Sequence, residues 1–352
     1  MSAAIATFTA LPADLEAHEP PEARGVARDR ARLLVAERAS GALAHRRFDD
    51  LPDLLSPGDV LVVNTSATLP AALDVADAPL QVRFSTPAPH RPGGWHVIEI
   101  RTAGGVSPVA PATVTAGQRL ELAGGAAVTL AAPYATSTRL WLARVEVPDG
   151  ATLNAHLHAH GQPIRYAYVP RPWPLADYQT AFAIPTDAGG SAEMPSAARP
   201  FTPALIARLV ARGVGFAPLT LHTGVSSPER HEPPYAEPYA IPATTARVID
   251  AARASGGCVI AVGTTAVRAL ETQAEPDGTV VAGAGWTDLV ISPDRPVRAV
   301  DGLITGWHEP AASHLDLLTA IAGDDLLEAS YAEAVAHGYL WHEFGDSHLV
   351  LP

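Results

Sequence analysis

The segment Val259-Ile-Ala-Val-Gly263-Thr264-Thr265-Ala-Val-Arg268-Ala-Leu-Glu271 carries the most specific chemical signal in this sequence. Its apolar run reads as a buried strand ending in glycine, which lets a ligand approach the backbone. The two threonines then offer hydroxyls and amide donors at a helix N-terminus. Such a terminus suits a carboxylate or phosphate, although an ordinary turn with a threonine cap uses the same residues. Arg268, one turn into that helix, reads either as a ligand contact or as a structural ion-pair partner. His222 in LTLHTG and His308 in ITGWHEP each follow a strand-like run. Open α/β sheets bind ligands beyond the carboxyl ends of their strands, so both histidines are candidates for proton transfer, with a satisfied structural imidazole as the other reading. Glu309, beside His308, is a further candidate acid or base.

Other groups carry weaker signals. His156, His158 and His160 alternate in LNAHLHAHG. The segment reads as a helix ending at Gly161, which puts His156 and His160 on one face without an acidic or thiol partner to complete a metal shell. The single cysteine, Cys258, lies in an apolar run and reads as a packed small hydrophobe. Residues 229–239, ERHEPPYAEPY, form a polar, aromatic loop that reads as either a site cover or a proline-stiffened linker. The chain contains no lysine, which excludes a lysine Schiff base and a Walker-type phosphate loop. Its formal net charge of −13 opposes non-specific attraction to polyphosphate. Arginines do cluster early, at Arg24, Arg28, Arg30, Arg32, Arg38, Arg46 and Arg47, either as a local basic face or as a solvated surface balanced by Asp29, Glu37, Asp49 and Asp50.

The elements that must position these groups follow from periodicity. ARLLVAER and ALAHRRF read as two short strands, DDLPDLLSPGD as a short helix with its stop, and VLVVN as a buried strand ending at Asn64. From Pro70 to Asp149 the runs PLQVRFS, GWHVIEIR, QRLELA, AAVTLAA and RLWLARVEV alternate with Gly/Pro turns, the pattern of a small barrel or sandwich. Beyond residue 150, helices alternate with strands: a helix capped by Thr202-Pro203, the strand VGFAPLTL, the helix ATTARVIDAARAS, strand and helix through CVIAVGTTAVRALET, then WTDLVIS, DGLITGW and two final helices. The expected fold class is α/β, a mixed main domain of residues 1–69 and 150–352 with an inserted all-β, barrel-like domain of residues 70–149. Hydrophobic content of 47% supports a packed core, and no apolar run reaches membrane-spanning length. The N-terminus lacks the pattern of a signal peptide, so a soluble, cytoplasmic enzyme is expected.

AVGTTAVRALE, from Ala261 to Glu271, resembles a signature of the S-adenosylmethionine:tRNA ribosyltransferase-isomerases of queuosine biosynthesis. The similarity runs colinearly through RDRARLLVAER, SPGDVLVVN, DYQTAFA, PFTPAL, LTLHTG, the histidine of TGWHEP, and GDSHLV. It implies S-adenosylmethionine as substrate, no metal or prosthetic group, and tRNA as partner. The ribosyl unit would be transferred and isomerised onto the aminomethyl group of a 7-deazaguanine, leaving an epoxycyclopentanediol and releasing adenine and methionine. That chemistry needs a base near the C5′ protons beside the sulfonium, a donor for departing adenine, and exclusion of water. On this reading Gly263, Thr264, Thr265 and Arg268 are expected to bind S-adenosylmethionine, and Asn64, Arg199, Thr202, Trp307 and Glu309 to bind substrate, Arg199 and Glu309 being residues that the family pattern itself does not supply.

Some family positions differ here. Thr65, Ser66 and Ala67 replace Asp-Thr-Arg, Ala72 replaces the arginine of Pro-Ala-Arg, and Arg199-Pro200 stands where Leu-His is usual. These departures define two alternatives: a relative that uses S-adenosylmethionine with a small-molecule acceptor or none, and a non-catalytic S-adenosylmethionine sensor.

Overall fold

The computed structural model describes residues 11–352 except 106, 108, 110–112, 138, 149, 188, 226–232 and 311. In chain order the elements before the small sheet are β1 (Arg32–Glu37), β2 (Leu43–Arg47), α1 (Leu51–Leu54) and β3 (Val60–Asn64). The small sheet follows as β4 (Ala72–Asp74), β5 (Leu80–Pro87), β6 (Trp95–Thr102), β7 (Arg119–Glu121), β8 (Ala127–Pro133) and β9 (Leu140–Glu146). Then come α2 (Leu153–His160), α3 (Pro203–Ala211), β10 (Gly215–Leu221), β11 (Glu237–Ile241), α4 (Ala243–Ala254), β12 (Val259–Val262) and α5 (Thr264–Thr272). The chain closes with β13 (Gly283–Thr287), β14 (Gly302–Gly306), α6 (His314–Ala322), α7 (Asp324–Ala336) and β15 (Ser347–Leu351).

Nine strands form one mixed sheet in the order β13-β11-β10-β3-β12-β14-β15-β1-β2. Strand β3 lies inside it, parallel to both β10 and β12, with every residue buried. Parallel strands covered on both faces need apolar side chains throughout, which is why VLVVN shows no polar alternation. Val60 and Val62 point to the cluster that holds Ile249 of α4 and Val267 and Leu270 of α5. Leu61 and Val63 point oppositely, to Leu205 and Leu209 of α3. Helix α5 is buried almost all round, so its charges must be paired. Glu271 accepts from the amides of Arg298 at 2.7 Å and Ala299 at 2.6 Å and meets Arg295 at 3.2 Å.

Six antiparallel strands form the second sheet, a half-barrel in the order β4-β5-β6-β9-β8-β7 whose outer strands meet in one bridge, Val75 with Leu122. Its hydrophobic cluster draws Leu157, Ile164, Ala192 and Val225 from beyond the strands themselves. Its centre also buries charge. Glu99 on β6 is completely enclosed, with Arg101 at 2.9 Å, Arg139 at 2.9 Å and Arg83 at 3.4 Å. Burial alone would raise the Glu99 pKa, but Arg101, Arg139 and Arg83 together outweigh it and hold the carboxyl below its ordinary value.

Three expectations change. The strand expected over WTDLVIS stops at Thr287, because Arg268 takes the carbonyls of Thr287 and Leu289 and turns the chain. The loop expected over 229–239 becomes a strand from Glu237. Pro238 has no N–H to give a ladder, but its carbonyl accepts from the His222 amide at 3.0 Å. Glu229, Arg230, His231 and Glu232 lie outside the described residues. The segment GDSHLV supplies β15, which pairs parallel with β1 and antiparallel with β14. Among the described residues no helix is long and apolar enough to cross a membrane.

Replacing Glu99 with Ala leaves three guanidinium groups around an uncompensated buried site. We expect a loss of about 3–5 kcal/mol in urea unfolding. Because the folded-state pKa of Glu99 lies below its ordinary 4.5, its stabilisation is complete above that pH and disappears as the pH falls through the folded value. The variant should therefore lose part of the wild-type stability difference between neutral and acid pH.

Candidate active site

A cavity of about 460 Å³ opens between the carboxyl ends of the main-sheet strands and the half-barrel. It draws residues from elements far apart in sequence: Ser85 and Arg101 of the half-barrel, Tyr166, Tyr168 and Glu193 of the connecting segments, Gly263 to Thr265 at the start of α5, and His342 and Glu343 near the C-terminus.

Gly263 sits at φ 93° and ψ 151° as the N-cap of α5. A Cβ there would make only ordinary contacts, at 3.5 Å to Ala197 and Thr265. The requirement for glycine therefore comes from the backbone angle, which L-residues essentially never adopt. Its amide bonds Ile304 O at 2.8 Å, tying the turn to β14. The Ala266 and Val267 amides bond Gly263 O at 3.1 and 3.4 Å, which leaves the amides of Thr264 and Thr265, both cavity-lining residues, without a carbonyl one turn back. Among the described residues the Thr265 hydroxyl is buried there without a hydrogen-bond partner, as is the indole N–H of Trp307, which also lines the cavity. Arg268 also lines the cavity, but its guanidinium is engaged. It pairs with Glu237 and donates to Tyr235 O, Thr287 O and Leu289 O at 3.1, 3.1 and 3.2 Å. It clamps β11 and the end of β13 against α5.

The β14 exit supplies Trp307, His308 and Glu309. His308 faces Thr305 Oγ1 through Nε2 at 3.0 Å and stacks on His314 with centroids 4.6 Å apart. Its carbonyl accepts from the Trp341 indole at 3.1 Å, so its backbone is fixed as well. Burial pushes the His308 pKa well below 6.5, reinforced by His314, His342 and His348. Burial likewise brings His314 and His342 to about 4, the first helped by Arg268 and the second by His18. At neutral pH the cavity histidines are thus uncharged. Two of its carboxyls move the other way. Burial, with a contribution from Glu16, raises the Glu309 pKa, and burial brings Glu343 to about 7 despite the Tyr168 hydrogen bond. A cation entering here meets carboxyls and aromatic faces without imidazolium repulsion.

The structure thus brings together Gly263, Thr264, Thr265, Arg268, Trp307, His308 and Glu309. It sets four other candidates outside the cavity lining. Asn64 is buried at the end of β3, where its carboxamide bonds Ser66 N and both backbone groups of Leu221. His222 meets Ser66 Oγ at 2.7 Å through Nδ1, and burial lowers its pKa. Arg199 donates to Asp177 O at 2.9 Å and Glu22 at 3.0 Å, and lies over the Phe344 ring. Thr202 caps α3 and donates to Asp29 at 2.8 Å.

The early arginines are similarly occupied. Arg28 pairs with Glu22 and Arg30 with Asp49, while Arg32 and Arg38 donate to carbonyls. His156 and His160 do share a face of α2, their rings 4.7 Å apart, and His156 bonds Ala123 O. Metal-ligand spacing occurs elsewhere among the described residues, at His45, Glu333 and His337, outside the cavity lining. Tyr166, Tyr168, Glu193, His314, His342 and Glu343 line the cavity without having been singled out from sequence. Alternating tyrosines in RYAYVP and the turn WHEF immediately before GDSHLV are weak local signals.

Residues 7–350 match the family described as queuosine biosynthesis protein. The S-adenosylmethionine:tRNA ribosyltransferase-isomerase of Symbiobacterium thermophilum is 37% identical over 97% of both chains. The protein of the same name from Thermus thermophilus is 36% identical over 95% of this chain and 97% of its own. The crystal structure of the S-adenosylmethionine tRNA ribosyltransferase of Thermotoga maritima superposes with a TM-score of 0.53 at 29% identity, covering 97% and 98% of the two chains.

Gly263→Ala forces a side chain into the positive-φ turn that starts α5. It should cost about 1–3 kcal/mol of stability, read as a lowered urea midpoint. Thr264→Ala leaves the angle untouched and should lose less than Gly263→Ala in the same measurement.

Proposed function

The chain belongs to the queuosine biosynthesis protein family, and on that premise we propose that it transfers and isomerises the ribosyl unit of S-adenosylmethionine onto a 7-deazaguanine-modified tRNA, releasing adenine and methionine. The observation that carries this reading to a place in the molecule is the buried Thr265 hydroxyl, unpartnered at the start of α5 and facing the cavity. The α5 amides and this hydroxyl hold a polar or anionic part of S-adenosylmethionine, while the carboxyls and neutral imidazoles surround its sulfonium.

Within that pose the proton chemistry falls to groups already shifted toward it. Glu309 keeps its proton to higher pH than an ordinary carboxyl, which suits it to protonate departing adenine. His308 is a neutral imidazole held by Thr305, able to orient a hydroxyl of the ribosyl unit. Both sheets contribute walls to the cavity, which would limit the water around the activated donor once it is bound.

The reading is tested by incubating the protein with S-adenosylmethionine and tRNA bearing 7-aminomethyl-7-deazaguanine, with adenine and the modified nucleoside measured by mass spectrometry. Both should appear together and only with tRNA. In a binding titration the tRNA affinity should fall steeply with salt, as phosphate contacts require. Adenine release with no tRNA binding at any salt would instead assign a small-molecule acceptor or none, and binding of S-adenosylmethionine without turnover would assign a sensor. Thr265→Val should weaken S-adenosylmethionine binding about tenfold by calorimetry, the size of one hydrogen bond at roughly 1.4 kcal/mol. Unchanged affinity would remove Thr265 from the site.

A further inference from the structure

The turn between α7 and β15 holds a carboxyl in the cavity by an unusual backbone. His342 has φ +72°, a left-handed angle rare for a residue with a side chain. Gly345, three residues on, could not carry a Cβ, which would lie 2.3 Å from Leu340 O. Asp346 pins the turn from below, accepting from the amides of Leu340 and Arg32, each at 2.9 Å. The His342 ring stacks on Tyr168, centroids 3.8 Å apart and planes within 8°. This winding presents Glu343 to the cavity, where its carboxyl accepts from the Tyr168 hydroxyl at 2.5 Å. Non-glycine residues persist at such angles where the surrounding structure over-determines them, and they concentrate at reactive sites.

We propose that Glu343 is the base that removes a proton from the carbon beside the sulfonium of S-adenosylmethionine, with Tyr168 as its positioning residue; this rests on the function proposed above. The C–H bond breaks with its electron pair left on the carbon next to the positive sulfur, and the proton moves to Glu343; without acceptor it returns to the same carbon, and in turnover it passes to solvent as that electron pair forms a ring bond of the product. No oxidant or reductant is required.

The groups facing Glu343 are consistent with this task. Tyr168 donates to it, Glu193 opposes its charge and Arg199 favours it. Tyr166, bonded to Glu193, stacks beside Tyr168, while Tyr178 and the uncharged His342 complete the surround. No arginine hydrogen-bonds Glu343 among the described residues, so the carboxylate is not neutralised by a fixed partner. Burial raises it to about 7, making it a stronger base than an ordinary carboxylate while leaving it substantially ionised near neutral pH.

The test compares wild type, Glu343→Gln and Tyr168→Phe. Wild type with S-adenosylmethionine in D2O should exchange deuterium into C5′, and with the modified tRNA it should release adenine. At saturating S-adenosylmethionine, with occupancy checked by calorimetry, Glu343→Gln should lose at least about 100-fold in both exchange and kcat. The wild-type kcat should rise with pH through about 7. Because the Tyr168 hydrogen bond lowers the Glu343 pKa, Tyr168→Phe should move that rise to higher pH with its plateau retained, a shift that a merely structural role would not produce. Exchange or turnover in Glu343→Gln within threefold of wild type overturns the assignment, as does a wild-type rate that falls through pH 7. Exchange that depends on Glu343 without tRNA-dependent adenine release supports the base and overturns the acceptor.

Discussion

Asn64 ends β3 with a carboxamide that is fully buried, so each of its polar atoms must find a partner within the fold. Its oxygen accepts from Ser66 N and Leu221 N, both at 3.0 Å, and its nitrogen donates to Leu221 O at 2.8 Å. That one side chain locks the carboxyl end of β3 to the end of β10. The network continues from Ser66 Oγ to His222 and Ser191 Oγ, each at 2.7 Å, and from Ser191 to the Thr223 amide at 3.0 Å. Thr223 then donates to the carbonyl of Glu193 at 2.7 Å. Three chain segments are thereby joined where the chain leaves the main sheet for the half-barrel, and Glu193 is delivered to the cavity wall. A buried network of this kind is costly if half satisfied, so loss of one member unsettles all three segments.

A second tie closes the same region from the other side. Glu237 accepts from Gly224 N at 2.7 Å and pairs with Arg268, so the loop after β10, strand β11 and helix α5 meet at one carboxylate. The pair is largely buried, and its extra bonds to backbone groups are what make burial tolerable. Val225 N donates to Ser85 Oγ at 3.0 Å, which carries the tie into the half-barrel. The cavity is therefore bounded by fixed polar joints, and its free donors and carboxyls face inward with little conformational freedom to lose on binding.

How much of this the sequence disclosed depends on the range of the interaction involved. The run VIAVGTT is local: apolar strand, positive-φ glycine and helix start all follow from neighbouring residues, and Gly263 to Thr265 do reach the cavity. His222 and Asn64 follow the same strand-end logic, but whether a strand-end polar group faces ligand or protein is decided by what packs over it. Here Ser66 and Ser191, 125 residues apart, cover them. Strand β11 was hidden by its own composition: Pro238 and the tyrosines around it read as irregular loop, and only the pairing with β10 and β13 makes a strand of them. Glu343 was equally hidden. The neighbouring turn offers only a weak local cue, because the meaning of this glutamate comes from Tyr168, 175 positions away.

The formal charge of −13 invites an argument against an anionic macromolecule as partner, but range limits that argument. At physiological ionic strength exposed charges are screened over about 8 Å. Groups such as Arg119 with Glu121 and Glu146, about half exposed, are screened by solvent and contribute little beyond their own surface. Groups that no solvent screens act more strongly. In the half-barrel, Arg83, Arg101 and Arg139 all meet the buried carboxylate of Glu99, and Arg101 also reaches the cavity. Glu193 and Glu343 stand in the same cavity as carboxyls. The protein thus holds opposite charges apart within one enclosed space, the arrangement required to orient a donor that is cationic at sulfur and anionic at its carboxylate. Overall acidity and local charge answer different questions, and the buried arrangement is the one that bears on the chemistry.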